Sequence, residues 1–214
     1  MHHTEPLCRQ YDPYILHTDI YCKTFWPDNI PVTIRPLSLP GDLDIINKWF
    51  ATHYSSEKTG YGLELSKDFY AMLLDGCNTQ ALLGTINGVP AFQADVYQAL
   101  FAPDVLTEVC SLQPNDFVMQ LWPSPEVMQS ASDSVAAVLA CLDCFFSYNE
   151  VNRVVWMTNM QEQYFRLMAA VADFEEIECD DARQTYHIAT REKFLPTLSQ
   201  MPAVPGEPRT VLDY

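Results

Sequence analysis

The sequence is short of basic residues. It has 12 Lys and Arg against 28 Asp and Glu, which gives a formal net charge of -16 at pH 7. A field of this sign repels polyanions, so nucleic acid and anionic membrane surfaces are excluded as partners. It attracts a small cationic substrate or a basic protein partner, and high solubility is the simpler interpretation of the same charge.

The sequence also lacks a membrane-spanning segment and a secretory signal. No apolar run reaches the roughly 18 residues that a transmembrane helix needs. An odd, scattered set of cysteines favours the reduced cytoplasm over a disulfide framework. We therefore predict a cytoplasmic protein. The cysteines are Cys8, Cys22, Cys77, Cys110, Cys141, Cys144 and Cys179.

No metal site is predicted. Cys141 and Cys144 form a CxxC motif, but the residues around them have the pattern of a helix. No second CxxC and no spaced histidine pair completes a tetrahedral site. Two thiols buried in a helix are the simpler interpretation.

The chain is long enough for one sizeable domain with one core, since its 214 residues are 48% hydrophobic. Residues 1–30 show no clear period, and we predict an irregular N-terminal arm that lies on the domain or extends to a partner. Residues 31–200 are predicted to form the domain, and the proline-rich residues 201–214 a loose tail.

Apolar periodicity predicts strands and helices in a mixed order. The clearest signal is Asn87-Gly88, the favoured pair of a type I′ turn, between two strands. The resulting pattern is a single α/β sheet without repeats. The predicted strands are 32–36, 81–86, 89–97, 117–122, 152–157, 174–178 and 185–189. The predicted helices are an apolar face around 43–50, then 65–75, a long helix from 126 or 132 to 148, 161–171 and 190–199.

Several short strings, taken in order, resemble one protein family over residues 31–198. The family is that of the acyltransferases of hydroxamate-siderophore biosynthesis, within the superfamily of GCN5-related N-acetyltransferases (GNAT), and it is close to the aminoglycoside N-acetyltransferases. The strings are Ile34-Arg35-Pro36-Leu37, Asp42-Leu43, Lys48-Trp49, Gly88-Val89-Pro90, Asp95-Val96-Tyr97 and Asn115-Asp116 before Phe117–Leu121.

The resemblance implies a GNAT-like mixed, mostly antiparallel sheet flanked by helices. It implies an enzyme that moves an acyl group from acetyl-CoA or another acyl-CoA to a lysine-like or ornithine-like amine, without a metal. Such an enzyme holds the thioester beside the amine, polarises the carbonyl and accepts a proton. The cleft is expected between two splayed central strands, with the CoA pyrophosphate at the N-terminus of the helix that follows.

The resemblance also implies residues that bind acyl-CoA. The superfamily's pyrophosphate loop reads Gln/Arg-x-x-Gly-x-Gly/Ala, and here Ser132 and Ser134 stand where glycines belong. Asp133 would repel a diphosphate by about 1 kcal/mol or more. Alternatively, Ser132 or Ser134 is an ordinary helix N-cap. The cofactor-binding residues implied are Gln120, Leu121, Trp122, Gln129, Ser130, Ala131, Ser132, Asp133 and Ser134; Trp122 lines or plugs the pantetheine channel, or simply fills the core.

The implied catalytic residues are Asp95, Tyr97, Gln120 and Asn159. In the siderophore subgroup a histidine stands at the position of Gln120 and an acidic residue at that of Asn159. Neither amide can take a proton, so Asp95, Tyr97 and Asp116 remain as proton acceptors or donors. Gln120 and Asn159 are otherwise ordinary inward polar residues, and Tyr97 a structural one.

Three functions therefore stay open. The first is an acyl-CoA-dependent N-acyltransferase in siderophore or related secondary-metabolite biosynthesis. The second is a non-catalytic relative that binds a partner protein of such a pathway. The third is an aminoglycoside N-acetyltransferase, which the negative charge favours because its substrates are polycations.

Overall fold

The computed structural model describes residues 3–25, 27–52, 67–101, 110–159, 163–177 and 184–200. Within these ranges the chain forms eight strands and five α-helices. The strands are β1 (Tyr21–Phe25), β2 (Ile30–Pro36), β3 (Thr79–Ile86), β4 (Val89–Gln98), β5 (Asp116–Pro123), β6 (Arg153–Asn159), β7 (Glu175–Ile177) and β8 (Gln184–Thr190). The helices are α1 (Gly41–Thr52), α2 (Lys67–Asp75), α3 (Ala131–Phe146), α4 (Gln163–Val171) and α5 (Arg191–Gln200).

All eight strands belong to one sheet, in the order β1-β2-β3-β4-β5-β6-β8-β7. Every neighbouring pair is antiparallel except β5 and β6, which are parallel. The parallel pair needs a crossover connection, and α3 supplies it. This confirms the predicted mixed, mostly antiparallel sheet flanked by helices.

The β3–β4 hairpin forms as predicted. Asn87 and Gly88 both have positive φ, at 53° and 77°. A type I′ turn requires this at both central residues, and its twist matches the twist of the flanking strands. The turn, together with the register shift between Gly84 and Thr85, sets which β4 side chains face each side of the sheet.

The two faces of the sheet carry different cores. On one face, α3, α4 and α5 pack on Phe92, Ala94, Met119 and Trp156 in the largest apolar cluster. On the other face, α1 and α2 pack on β3 through a second cluster that includes Trp49. Alternate residues of each strand therefore face either α3 or the α1–α2 side.

The predicted irregular arm contains β1, so that prediction is wrong for residues 21–25. The strand pairs with β2, and its Tyr21 hydroxyl donates to Asp143 of α3 at 2.7 Å. Only Phe25 of this strand is buried, and Lys23 and Thr24 before it are polar. The strand therefore lacks the apolar–polar alternation that identifies a half-buried strand. Upstream, the arm lies on the domain, where Leu7 and Cys8 are buried in the main core.

The predicted start of the long helix at residue 126 is also wrong. Residues Val127–Gln129 form a separate 3-10 turn, and α3 begins at Ala131. The predicted tail, residues 201–214, lies outside the described residues.

Candidate active site

A cleft opens where the parallel strands β5 and β6 part. Their pairing runs from Asp116–Arg153 to Met119–Trp156 and then stops. Both strands continue, β5 to Pro123 and β6 to Asn159. The backbone edge of β5 beyond Met119 is therefore not paired by β6, and the predicted splay of the central strands is present.

Asp95 and Gln120 lie side by side at the point of divergence. They are directly opposite one another in the antiparallel β4–β5 register. Gln120 is the first residue of β5 after the last β5–β6 pair. Because Met119 and Leu121 face the α3 core, Gln120 faces the other side. Asp95 and Tyr97 share that side by the same alternation, so three predicted catalytic residues are brought together on one face.

The Asp95 carboxylate accepts two hydrogen bonds from uncharged donors. Gln93 Nε2 donates to Oδ1 at 2.8 Å, and Trp122 Nε1 donates to Oδ2 at 3.2 Å. Burial raises the pKa of Asp95 from 3.8 to about 6, and the two hydrogen bonds oppose that rise. A carboxyl group with this pKa is mostly ionised at neutral pH and suits the work of a general base.

Trp122 connects this carboxylate to α1. Its ring lies 5.2 Å from that of Phe50, at an interplanar angle of 50°. Both rings are partly exposed. Trp122 therefore lies on the α1–α2 side of β5, whereas Leu121, the next predicted cofactor-binding residue, faces the α3 core and is buried.

The N-terminus of α3 follows β5 through a short connection. Ser130 is its N-cap, and the Ser130 hydroxyl accepts from the Asp133 amide at 3.3 Å. The alternative N-caps Ser132 and Ser134 are therefore wrong, since both lie inside the helix. The amides of Ala131 and Ser132 point out of the first turn by helix geometry, toward any anion placed there.

Ser134 is turned inward instead. It is only 2% exposed, and its hydroxyl lies 2.8 Å from the Val127 carbonyl, to which it donates. Tyr164 of α4 donates its hydroxyl to Ser134 Oγ. Of the predicted loop Gln129–Ser134, Ser134 thus serves to hold the connection against α4, and the first-turn amides remain at the surface.

Asp116 lies at the opposite end of β5 from the cleft. Its carboxylate pairs with Arg153 and accepts from the Gln113 amide. Because it lies away from the cleft and is engaged by Arg153, Asp116 is excluded as the proton acceptor there. Asn159 is the last residue of β6, beyond the divergence, and its backbone pairs with Gln184 of β8.

Two residues of the site, Gln93 and Tyr70, belong to no sequence motif. Gln93 is fully buried and lies two residues before Asp95 on the same strand face. Tyr70 of α2 donates its hydroxyl to Gln93 Oε1 at 3.0 Å. Alternation along Gln93, Asp95 and Tyr97 is the signal that predicts a polar face for β4, but nothing in the sequence links it to Tyr70.

The described residues show neither a metal site nor a membrane span. No group of three or more His, Cys, Asp or Glu side chains among them is placed to hold a metal ion. None of their helices is long and apolar enough to cross a membrane. Cys141 and Cys144 are buried free thiols, as predicted for a helix interior.

A mostly antiparallel sheet whose one parallel pair diverges in front of a helix N-terminus defines a GNAT-like fold. Solved structures with this fold match the chain. An aminoglycoside acetyltransferase, AAC(6')-Ib, in complex with coenzyme A has a TM-score of 0.64 at 19% identity, over 78% of this chain and 99% of that chain. A chimera of spermidine N-acetyltransferase SpeG from Vibrio cholerae and hSSAT has a TM-score of 0.58 at 14% identity, over 77% of this chain and 98% of that chain.

An uncharacterized protein from Bacillus halodurans has a TM-score of 0.69 at 17% identity, over 84% of this chain and 94% of that one. No protein-family model matches the chain, and no curated protein does. At these identities the likeness establishes the fold, and function has to be argued from the site.

Proposed function

We propose that the protein is an acyl-CoA-dependent N-acyltransferase that acts on a small cationic amine. The observation that carries the proposal is the opening of β5 from β6 beside Asp95, a carboxylate whose pKa of about 6 suits a general base. Solved neighbours with this fold include structures in complex with coenzyme A and acetyl-CoA. Acyl-CoA is therefore the proposed co-substrate.

The acyl donor would lie between the diverging strands. The α3 amides of Ala131 and Ser132 would hold its pyrophosphate, because a helix N-terminus binds anions through free N–H groups and its dipole. The edge of β5 from which β6 diverges after Met119 would hold the pantetheine amides as an added strand does. Gln120, Leu121 and Trp122 supply that edge, and Gln129 and Ser130 lead into the helix.

The reaction would transfer one acyl group and one proton. The cationic amine first loses a proton to water; the neutral nitrogen then attacks the thioester carbonyl, the C–S bond breaks, and the sulfur leaves as a thiolate that takes up a proton. Asp95 accepts the proton that the attacking nitrogen loses, directly or through water. Gln120 and Asn159 cannot accept it, and they are proposed to orient substrate by hydrogen bonds. Tyr97 lies on the same face and is proposed to contact the amine side.

We propose a lysine-like or ornithine-like amine of siderophore or related secondary metabolism as the acceptor, on the strength of the sequence resemblance. A second acceptor class, the aminoglycosides, is favoured by two observations. One is the net charge of -16; the other is the structural likeness to an aminoglycoside acetyltransferase in complex with kanamycin. The amide side chains at 120 and 159 favour a third possibility, a non-catalytic binding protein.

The first test is thermal unfolding with acetyl-, succinyl- and longer acyl-CoA. A ligand at 100 times its dissociation constant stabilises by about 2.7 kcal/mol, which raises Tm by roughly 5–10 °C for a chain of this size. Absence of a shift at near-millimolar ligand contradicts acyl-CoA binding.

The second test is turnover, followed by release of free CoA thiol. Each acyl-CoA that binds is combined with N-hydroxylysine, ornithine, spermidine or kanamycin. Turnover with the amino acid derivatives and not with kanamycin supports the siderophore assignment, and the reverse supports aminoglycoside modification. Acyl-CoA binding without turnover for any amine supports the binding protein.

A further inference from the structure

A partly buried polar network surrounds the carboxylate at the cleft, and no sequence motif marks its members Gln93 and Tyr70. Its members come from three elements: Tyr70 from α2, Gln93 and Asp95 from β4, and Trp122 from β5. We propose that Gln93, braced by Tyr70 and assisted by Trp122, is a positioning residue that fixes the Asp95 carboxylate in place and holds it as an anion. The proposal rests on the proposed acyl transfer for its kinetic readout alone.

Each oxygen of the carboxylate has its own donor. Oδ1 accepts from Gln93 Nε2 and Oδ2 accepts from Trp122 Nε1, at 2.8 and 3.2 Å. Because the two donors come from different strands, rotation of the carboxylate breaks at least one of the bonds. One lone pair on each oxygen stays available for an incoming proton.

The orientation of the Gln93 amide is itself determined. Its nitrogen donates to both Asp95 and the Tyr70 hydroxyl, the latter at 2.8 Å, and its oxygen accepts from Tyr70 at 3.0 Å. A half-turn of the amide would place its oxygen 2.8 Å from an anionic oxygen, which repels it. Gln93 has no exposed surface, so water cannot replace the lost donor.

Uncharged donors suit a proton acceptor better than a cation does. A guanidinium placed beside a carboxylate would favour the anion strongly and make it a weaker proton acceptor. An amide and an indole instead oppose the effect of burial only in part, and the pKa of Asp95 stays near 6. Tyr70, the titratable group behind Gln93, has its own pKa raised by burial first and by the Asp95 charge second, so it stays a neutral hydroxyl.

The decisive variant is Gln93→Met, which keeps the length of the side chain and removes the donor. We expect the pKa of Asp95, measured by carboxyl carbon NMR, to rise by about one unit. The acidic limb of the pH profile of kcat/KM then moves to higher pH by the same amount. Relative to the parent, kcat/KM falls about fivefold at pH 6 and hardly changes at pH 8.5, since the fraction of ionised base falls only below the new pKa.

Gln80→Met is the matched control. Gln80 is an equally buried glutamine on the neighbouring strand β3, and its amide nitrogen bonds to the Ala81 carbonyl at 3.3 Å rather than to Asp95. We expect it to leave the pKa of Asp95 and the pH profile unchanged. Trp122→Phe is the second variant. It keeps a ring against Phe50 and removes the other donor, so it should raise the same pKa and remains informative if Gln93→Met fails to fold.

The outcomes separate this inference from the proposed function. An unchanged pKa of Asp95 in both donor variants overturns the network, even if the enzyme turns over. A raised pKa without any shift in the acidic limb of an active enzyme overturns the positioning role. A raised pKa in a protein that acylates no amine supports the network and counts against the proposed function alone.

Discussion

The carboxylate at the cleft should make the folded protein less stable as the pH rises. In the folded state the pKa of Asp95 is about 6, against an ordinary value of 3.8. The folded protein therefore holds this proton more tightly than the unfolded chain does. The contribution of Asp95 to the free energy of unfolding is highest while both states are protonated. It falls as the pH rises from about 3.8 to about 6, and it is constant above that range.

Asp95→Asn removes this dependence while keeping the shape of the side chain. Between pH 5 and pH 8 the parent should lose roughly 1.4 kcal/mol of unfolding free energy relative to the variant, as integration of the two pKa values gives. Other carboxylates titrate over the same range, but they are common to both proteins and cancel. The assay is urea unfolding of both proteins at pH 5, 6, 7 and 8.

A pH-independent difference in the free energy of unfolding between the two proteins is expected, and it does not test the reasoning. The asparagine nitrogen would face either Gln93 or Trp122, both of which are donors, so the variant carries a pH-independent loss. The reasoning is refuted if the difference is the same at pH 5 and pH 8, because the folded and unfolded pKa values would then be equal. The variant should also bind acyl-CoA while losing turnover.

The remaining predictions concern packing and the helix terminus. Gly84→Ala should lower the free energy of unfolding in urea by about 1–3 kcal/mol, because the added Cβ would lie 2.0 Å from Phe92 Cζ. Gly41→Ala is the control, since its Cβ would have nothing within 4 Å and should not destabilise; equal effects of the two substitutions would contradict the structure. Asp133→Asn should tighten acyl-CoA binding roughly fivefold in calorimetry by removing about 1 kcal/mol of repulsion, and unchanged affinity would place the pyrophosphate elsewhere. Ser130→Ala should lower stability by about 0.5–2 kcal/mol in urea unfolding through loss of the N-cap, and no loss would argue against Ser130 as the cap.

The parts of the fold with local signals were predictable from the sequence. Asn87-Gly88 supplies two residues that accept positive φ, so the hairpin follows from the chain itself. Alternation then places Asp95 and Tyr97 on one face, and the apolar strand ending at Pro123 supplies Gln120. These are the residues that the structure brings to the divergence of β5 and β6.

Features that depend on distant partners were not predictable in this way. β1 is held by contacts of Tyr21 and Lys23 with Asp143, which lies more than a hundred residues away in the sequence. The N-cap of α3 was misplaced because three serines compete for it. The bond from the Asp133 amide to the Ser130 hydroxyl and the burial of Ser134 against α4 decide among them. Gln93 becomes informative only through Tyr70, and periodicity does not connect a helix residue to a strand residue.

The N-terminal arm has a consequence for the order in which the protein can be made. Leu7 and Cys8 emerge from the ribosome before every strand of the sheet, yet they pack in its main core. The Leu7 amide donates to Glu150 at 2.7 Å, and His3 stacks on Tyr148 with ring centroids 4.4 Å apart. These partners follow β5 and α3 in the chain. A nascent chain halted before them therefore exposes the arm without these partners, and the arm stays accessible to chaperones and proteases until residue 150 has emerged from the ribosome.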